Sequence, residues 1–155
     1  MRGMALLFLL SMALVVGVQD RAVAKMREDR LTLVTASGEQ VIDIEIAETE
    51  QEKALGLMFR TSLPEKRGML FPYATAHEVT MWMKNTFISL DMVFIRPDGV
   101  VHRIEAFTEP RSETIISSHG RVSAVLELIG GEAARLGLKP GDRVIHRTFK
   151  NTDKR

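Results

Sequence analysis

Apolar and polar residues alternate along much of this chain, and the alternation predicts strands. In "VIDIEIA", Val41 to Ala47, the isoleucines at 42, 44 and 46 are separated by Asp43 and Glu45, so one face enters a core and the other meets water. "LTLV", Leu31 to Val34, precedes it across the turn-rich "ASGE", and the two runs predict a half-buried antiparallel hairpin. Thr49 to Glu52 has the T-x-x-E form of a capping box ahead of "KALGLM", which predicts a short helix from Thr49 to near Gly56. In "RTSLPEKRGMLFPYA", Pro64, Gly68 and Pro72 break regularity, so the expectation there is a loop around one buried plug, Met69 to Phe71.

The strand signal returns from Val79 to Ile104, cut at "RPDG", Arg96 to Gly99, where Pro suits the first central position of a turn and Gly supplies positive φ. Ile115 to Ser118 reads as a short strand. "RVSAVLEL" then sets Val122, Ala124, Leu126 and Leu128 against Arg121, Ser123 and Glu127. "GEAARLG" is a short helix ending at Gly137, and the "KPGD" turn launches a last strand, Arg143 to Phe149. About seven or eight short strands, two short helices and no strand-helix-strand rhythm predict a mostly β fold, an antiparallel sandwich or barrel.

The first residues follow another pattern. Arg2 precedes an uncharged, largely apolar run from Ala5 to Val18, and Ala22-Val23-Ala24 supplies the small-x-small form of a cleavage site, which predicts a signal peptide over residues 1–24. The run is shorter than the roughly 20 apolar residues that span a bilayer, so a permanent anchor is the weaker reading, and an uncleaved segment would be the domain's one tie to the membrane. Residues 25–30 read as a disordered lead, 31–149 as a single β domain and 150–155 as a tail. The protein is expected to be exported, periplasmic or secreted.

Composition narrows the chemistry. At 155 residues, 45% hydrophobic and 26% charged, the chain fits one domain, and a net charge of +1 with acids and bases interspersed predicts no nucleic-acid partner. Without cysteine there is no disulfide, lipid attachment site or thiolate ligand. His77, His102, His119 and His146 lack metal-ligand spacing, so neither a metal nor a cofactor is expected. No G-x-S-x-G elbow accompanies Ser117-Ser118-His119, and nucleophilic catalysis there is set aside.

"MWMKNTFISLDMVFI", Met81 to Ile95, concentrates the unusual residues. Extended backbone sends Val79, Met81 and Met83 to a core and Thr80, Trp82 and Lys84 the other way. Asn85 then turns the chain so that Ile88, Leu90, Met92 and Phe94 make a new core face, opposite Asp91. Trp82, Lys84, Asn85 and Asp91 are therefore expected to share a partly exposed polar pocket, with Arg60, Arg67 and Glu127 as further contributors. The plain alternative is a set of ion pairs, Lys84 with Asp91 or Glu127, and arginines that anchor loops.

"GLMFR" (Gly56 to Arg60), "RGMLF" (Arg67 to Phe71), "MWMKNT", "LDMVFI" and "VLEL" (Val125 to Leu128) followed by "GLKPGDRV" resemble domain-of-unknown-function family 192 over roughly Leu31 to Val144. The resemblance implies a compact, jelly-roll-like β domain and brings no catalytic residues with it. The leading expectation is a binding module for a small polar or anionic ligand or an envelope component. The alternatives are a hydrolase or lyase using Asp91 or Glu127 as acid or base, with Lys84 steadying negative charge, and a structural envelope protein.

Overall fold

The structure, a computed structural model, describes residues 25–152. The signal peptide expected over 1–24 and the last residues of the tail lie outside the described residues. Strands β1 (Arg27–Thr35) and β2 (Gly38–Ile46) form the hairpin that the alternation predicts, with Leu31 opposite Ile42. Leu31, Leu33, Ile42, Ile44 and Ile46 are buried, while Asp43 points to solvent. β1 begins earlier than hydrophobicity indicates, so residues 27–30, expected in a disordered lead, belong to the sheet. Charge partners hold them: Arg27 pairs with Glu48, and Asp29 meets Arg147 at 2.5 Å and His146 at 3.2 Å.

Helix α1 (Glu50–Leu55) carries the full capping box: Glu52 N–H donates to Thr49 Oγ1 (3.1 Å) and Thr49 N–H donates to Glu52 Oε2 (2.8 Å). After it comes the first correction. The expected loop around Met69 is a 15-residue strand, β3 (Arg67–Met81). Pro72 does not end it, because the missing N–H falls where the pairing with a later strand already shifts register, between Pro72 and His77. Gly68 does not turn the chain either. It admits the neighbouring strand, since a Cβ there would stand 2.6 Å from the Glu127 carbonyl oxygen.

The strand expected to run on from Val79 stops at Met81. Residues 82–89 form a loop in which Asn85 takes φ 55° and Thr86 N–H closes a turn onto the Met83 carbonyl at 3.0 Å. Strands β4 (Leu90–Ile95) and β5 (Val101–Glu105) flank the expected "RPDG" turn, closed by Gly99 N–H on the Arg96 carbonyl at 2.9 Å. The two expected pieces around residues 115–128 are one 14-residue strand, β6 (Ile116–Ile129). Helix α2 (Glu132–Arg135) follows, and β7 (Arg143–Ile145) ends short of Phe149 because His146 caps a 3-10 turn, with Thr148 N–H donating to Nδ1 at 3.2 Å.

The strands lie in one mostly antiparallel sheet, order β5-β4-β6-β3-β2-β1-β7, curled into a half-barrel rather than split into two stacked sheets. One pair, β2 with β3, is parallel, and the crossover between them contains α1. Each face of the sheet has its own core. Ile44, Leu70, Val93, Leu126 and Leu128 pack on one side with α2, and Met69, Phe71, Met92, Phe94 and Val125 pack on the other. β4 is consequently buried at all six positions. No helix of the described residues is long and apolar enough to cross a membrane.

Candidate functional site

On β3, alternation puts Phe71 and Tyr73 on the same face as Met69; on β6 it puts Glu127 beside Val125, opposite Met69 on one flank and Met92 on the other. α1 lies across this face. Between the helix and the sheet is a cleft of about 280 Å³, lined by Glu50, Lys53 and Leu57 above, Phe71, Tyr73 and Glu127 on the floor, and Met58, Thr80, Trp82 and Thr86 at the sides. The short helix and its cap thus form one wall, and the two longest strands supply the base.

Glu127 is only 4% exposed. No hydrogen bond or ion pair to its carboxyl is made by the described residues. Burial pushes its pKa up to about 8, with the nearby Arg60 charge pulling modestly the other way. Arg60 is already engaged: Nη1 and Nη2 donate to the two Glu45 carboxylate oxygens at 2.5 and 2.6 Å, which holds Glu45 below the usual carboxylate range. The Tyr73 phenol is pushed up to about 12 by burial, then by the charges of Glu127 and Glu50. At the mouth Lys53 pairs with Glu50 at 3.0 Å and sits 5.0 Å above the Tyr73 ring. The cleft therefore offers apolar and aromatic walls, self-paired charges at its edge, and one carboxyl at its base that holds a proton at neutral pH.

Of the seven residues expected to form a pocket, Trp82 and Glu127 line this cleft, while Arg60 is outside the lining and reaches Glu127 only through its charge. Asn85 reaches the rim, its Nδ2 3.9 Å from Met58 Sδ. Lys84 lies over the Trp82 ring at 5.3 Å and 3.7 Å from Glu113, so neither Asp91 nor Glu127 is its partner. Arg67 is on the sheet beside Glu28, 3.8 Å away.

Asp91 is placed elsewhere altogether. Alternation does send it opposite Met92, as expected, but that side of β4 is the second core. Fully buried, Asp91 accepts from Phe107 N–H (2.9 Å), Gly131 N–H (3.0 Å) and Ala133 N–H (2.9 Å). It ties β4 to the start of α2 and to the turn after β5. Both oxygens are engaged by backbone, which leaves neither free for a substrate.

Tyr73, Lys53, Glu50 and Met58 were not anticipated. The signal that could have found two of them is the capped helix, whose three-residue spacing puts Glu50 and Lys53 on one face. Tyr73 was hidden by Pro72, which made a continuing strand look like a turn. Among the described residues no three His, Cys, Asp or Glu side chains gather as a metal ion would need.

The model of domain-of-unknown-function family 192, described as "Uncharacterized ACR", matches residues 32–146. No curated protein matches the chain. Among solved structures, a "putative transcription regulator" from Sinorhizobium meliloti 1021 is similar at 40% identity and a TM-score of 0.77, covering 80% of this chain and 97% of that one. A protein of unknown function from Novosphingobium aromaticivorans DSM 12444 is similar at 42% identity and a TM-score of 0.77, covering 81% and 89%.

Proposed function

The chain belongs to domain-of-unknown-function family 192, and from that premise we propose that it is a binding domain for a small polar ligand, held in the cleft between α1 and the sheet with a polar group on Glu127. The observation that carries this reading is the Glu127 carboxyl, buried at the base of a formed cleft with no hydrogen-bond or ion-pair partner among the described residues. Burying such a group costs stability unless something bonds it. A ligand supplies what the fold does not. The expectation of an exported, periplasmic or secreted protein belongs to the same proposal and rests on residues 1–24. The description of the Sinorhizobium protein stays with that protein, since acids and bases are interspersed here at a net charge of +1.

A small-molecule library screened at neutral pH tests the proposal, read by thermal shift and by emission of Trp82, the only tryptophan. Ligands of the cleft shift both signals in the native chain and neither in Ala54→Phe, which fills the lining. A library in which every hit binds the filled variant equally well would overturn the assignment.

A second reading has one specific observation behind it. With its pKa near 8, Glu127 keeps its proton at neutral pH and is suited to general-acid work in a hydrolase or lyase. Glu127→Gln would then abolish turnover while leaving substrate bound.

A further inference from the structure

We propose that the cleft selects an organic cation, an amine with a short apolar body, bound as its ammonium against the Glu127 carboxylate between Tyr73 and Trp82. The proposal deepens the assignment of the cleft as a ligand site and rests on it.

The charges around the cleft cancel in pairs, with one exception. On α1, Glu50 and Lys53 face each other at 3.0 Å. In the turn after α1, Arg60 is taken by Glu45 of β2 through two bonds. Beyond Trp82, Lys84 stands 3.7 Å from Glu113. From β3 the facing titratable group is Tyr73, neutral because its pKa is about 12, and from β4 the residue opposite is Met92. Among the described residues lining the cleft, Glu127 alone is left over. An anion entering here would find every neighbouring cation engaged and a carboxyl opposing it, whereas an ammonium would find a carboxyl that none of the described residues pairs with.

The walls point the same way. Ring faces attract cations, and in this region they already do so, with Lys53 5.0 Å above Tyr73 and Lys84 5.3 Å from Trp82. Leu55, Leu57, Met58, Phe71 and Met81 provide the apolar lining for the body of the ligand. At about 280 Å³ the space is at the small end for ligand sites, which favours a compact amine.

Binding of this kind moves a proton. Empty, Glu127 is protonated at neutral pH; the ammonium pairs with the carboxylate, so the carboxyl O–H proton leaves for solvent as the N–H to oxygen contacts form. Affinity therefore rises about tenfold per pH unit until about pH 8, then levels.

Phenethylamine, 2-phenylethanol and phenylacetate share one body and differ in charge, and they serve as probes. Trp82 emission gives each Kd from pH 6 to pH 9, and calorimetry in two buffers of different ionisation enthalpy gives the proton count. Phenethylamine is expected to bind at least tenfold more tightly at pH 8 than at pH 6, releasing close to one proton at pH 6. Glu127→Gln removes both the pH slope and the preference for the amine, while retained 2-phenylethanol binding shows that the cleft is intact. Equal binding of the alcohol or of phenylacetate, or amine binding without a pH slope, overturns the amine proposal and leaves the ligand site standing. Failure of all three probes up to about 10 mM also overturns it; the library and Ala54→Phe then decide the site separately.

Discussion

Arg60 grips both carboxylate oxygens of Glu45, at 2.5 and 2.6 Å, and so makes no bond to Glu127 although its charge reaches that carboxyl. The raised pKa of Glu127 depends on this prior engagement. In Glu45→Ala the guanidinium is released and can pair with Glu127, so the Glu127 titration should move down by about one unit or more. Carbon-13 NMR of the glutamate carboxyls checks this. A titration that stays near 8 would show that Arg60 cannot turn.

The pH dependence of stability has a definite sign. Glu127 titrates at about 8 when folded and at its ordinary 4.5 when unfolded, so the folded chain holds a proton that the unfolded chain has released. The stabilisation is complete below pH 4.5 and declines as pH rises toward 8, by an amount on the order of a few kcal/mol. Urea melts of native protein across this range should fall, and those of Glu127→Gln should lack this component. Parallel curves for the two proteins would mean that the carboxyl does not titrate as placed.

Asp91→Ala removes a fully buried carboxylate that accepts from three backbone N–H groups and should cost about 3 kcal/mol or more, loosening α2 from β4. Ligand affinity, measured under conditions where the variant remains folded, should be unchanged. Lost affinity with stability intact would return Asp91 to the binding site.

Mass spectrometry of protein purified from its native cells should find a mature N-terminus near Lys25, as Ala22-Val23-Ala24 implies. Recovery of full-length chain from the membrane fraction would instead favour an anchor.

Much of the fold was legible because local signals agreed with it. Ile42, Ile44 and Ile46, the Thr49 box and the "RPDG" turn each carry period, cap or turn chemistry in a few adjacent residues. The sequence divides the long strands β3 and β6 for the opposite reason. Pro72 and Gly68 ordinarily punctuate, and only the strand across from them shows that one marks a register shift and the other a close approach. Half of the site failed similarly. Alternation placed Asp91 on the correct side of β4, but could not reveal that α2 would cover that side. Trp82 and Glu127 were recognised as unusual one by one, whereas their common cleft depends on α1 crossing the sheet, which no short window of sequence contains.

The position of β6 shapes how the chain must reach its native state. Sixth in sequence, it lies between β3 and β4 and pairs with both. Until residues 116–129 are available, β3 and β4 have no partner on the sides that β6 will occupy, so a chain emerging from its N-terminus carries two open ladder edges. Open edges invite pairing with other chains, and joining strands so far apart in sequence is slow. The last of the long strands to arrive is therefore a keystone that closes the sheet in one late step, and it brings Glu127 with it.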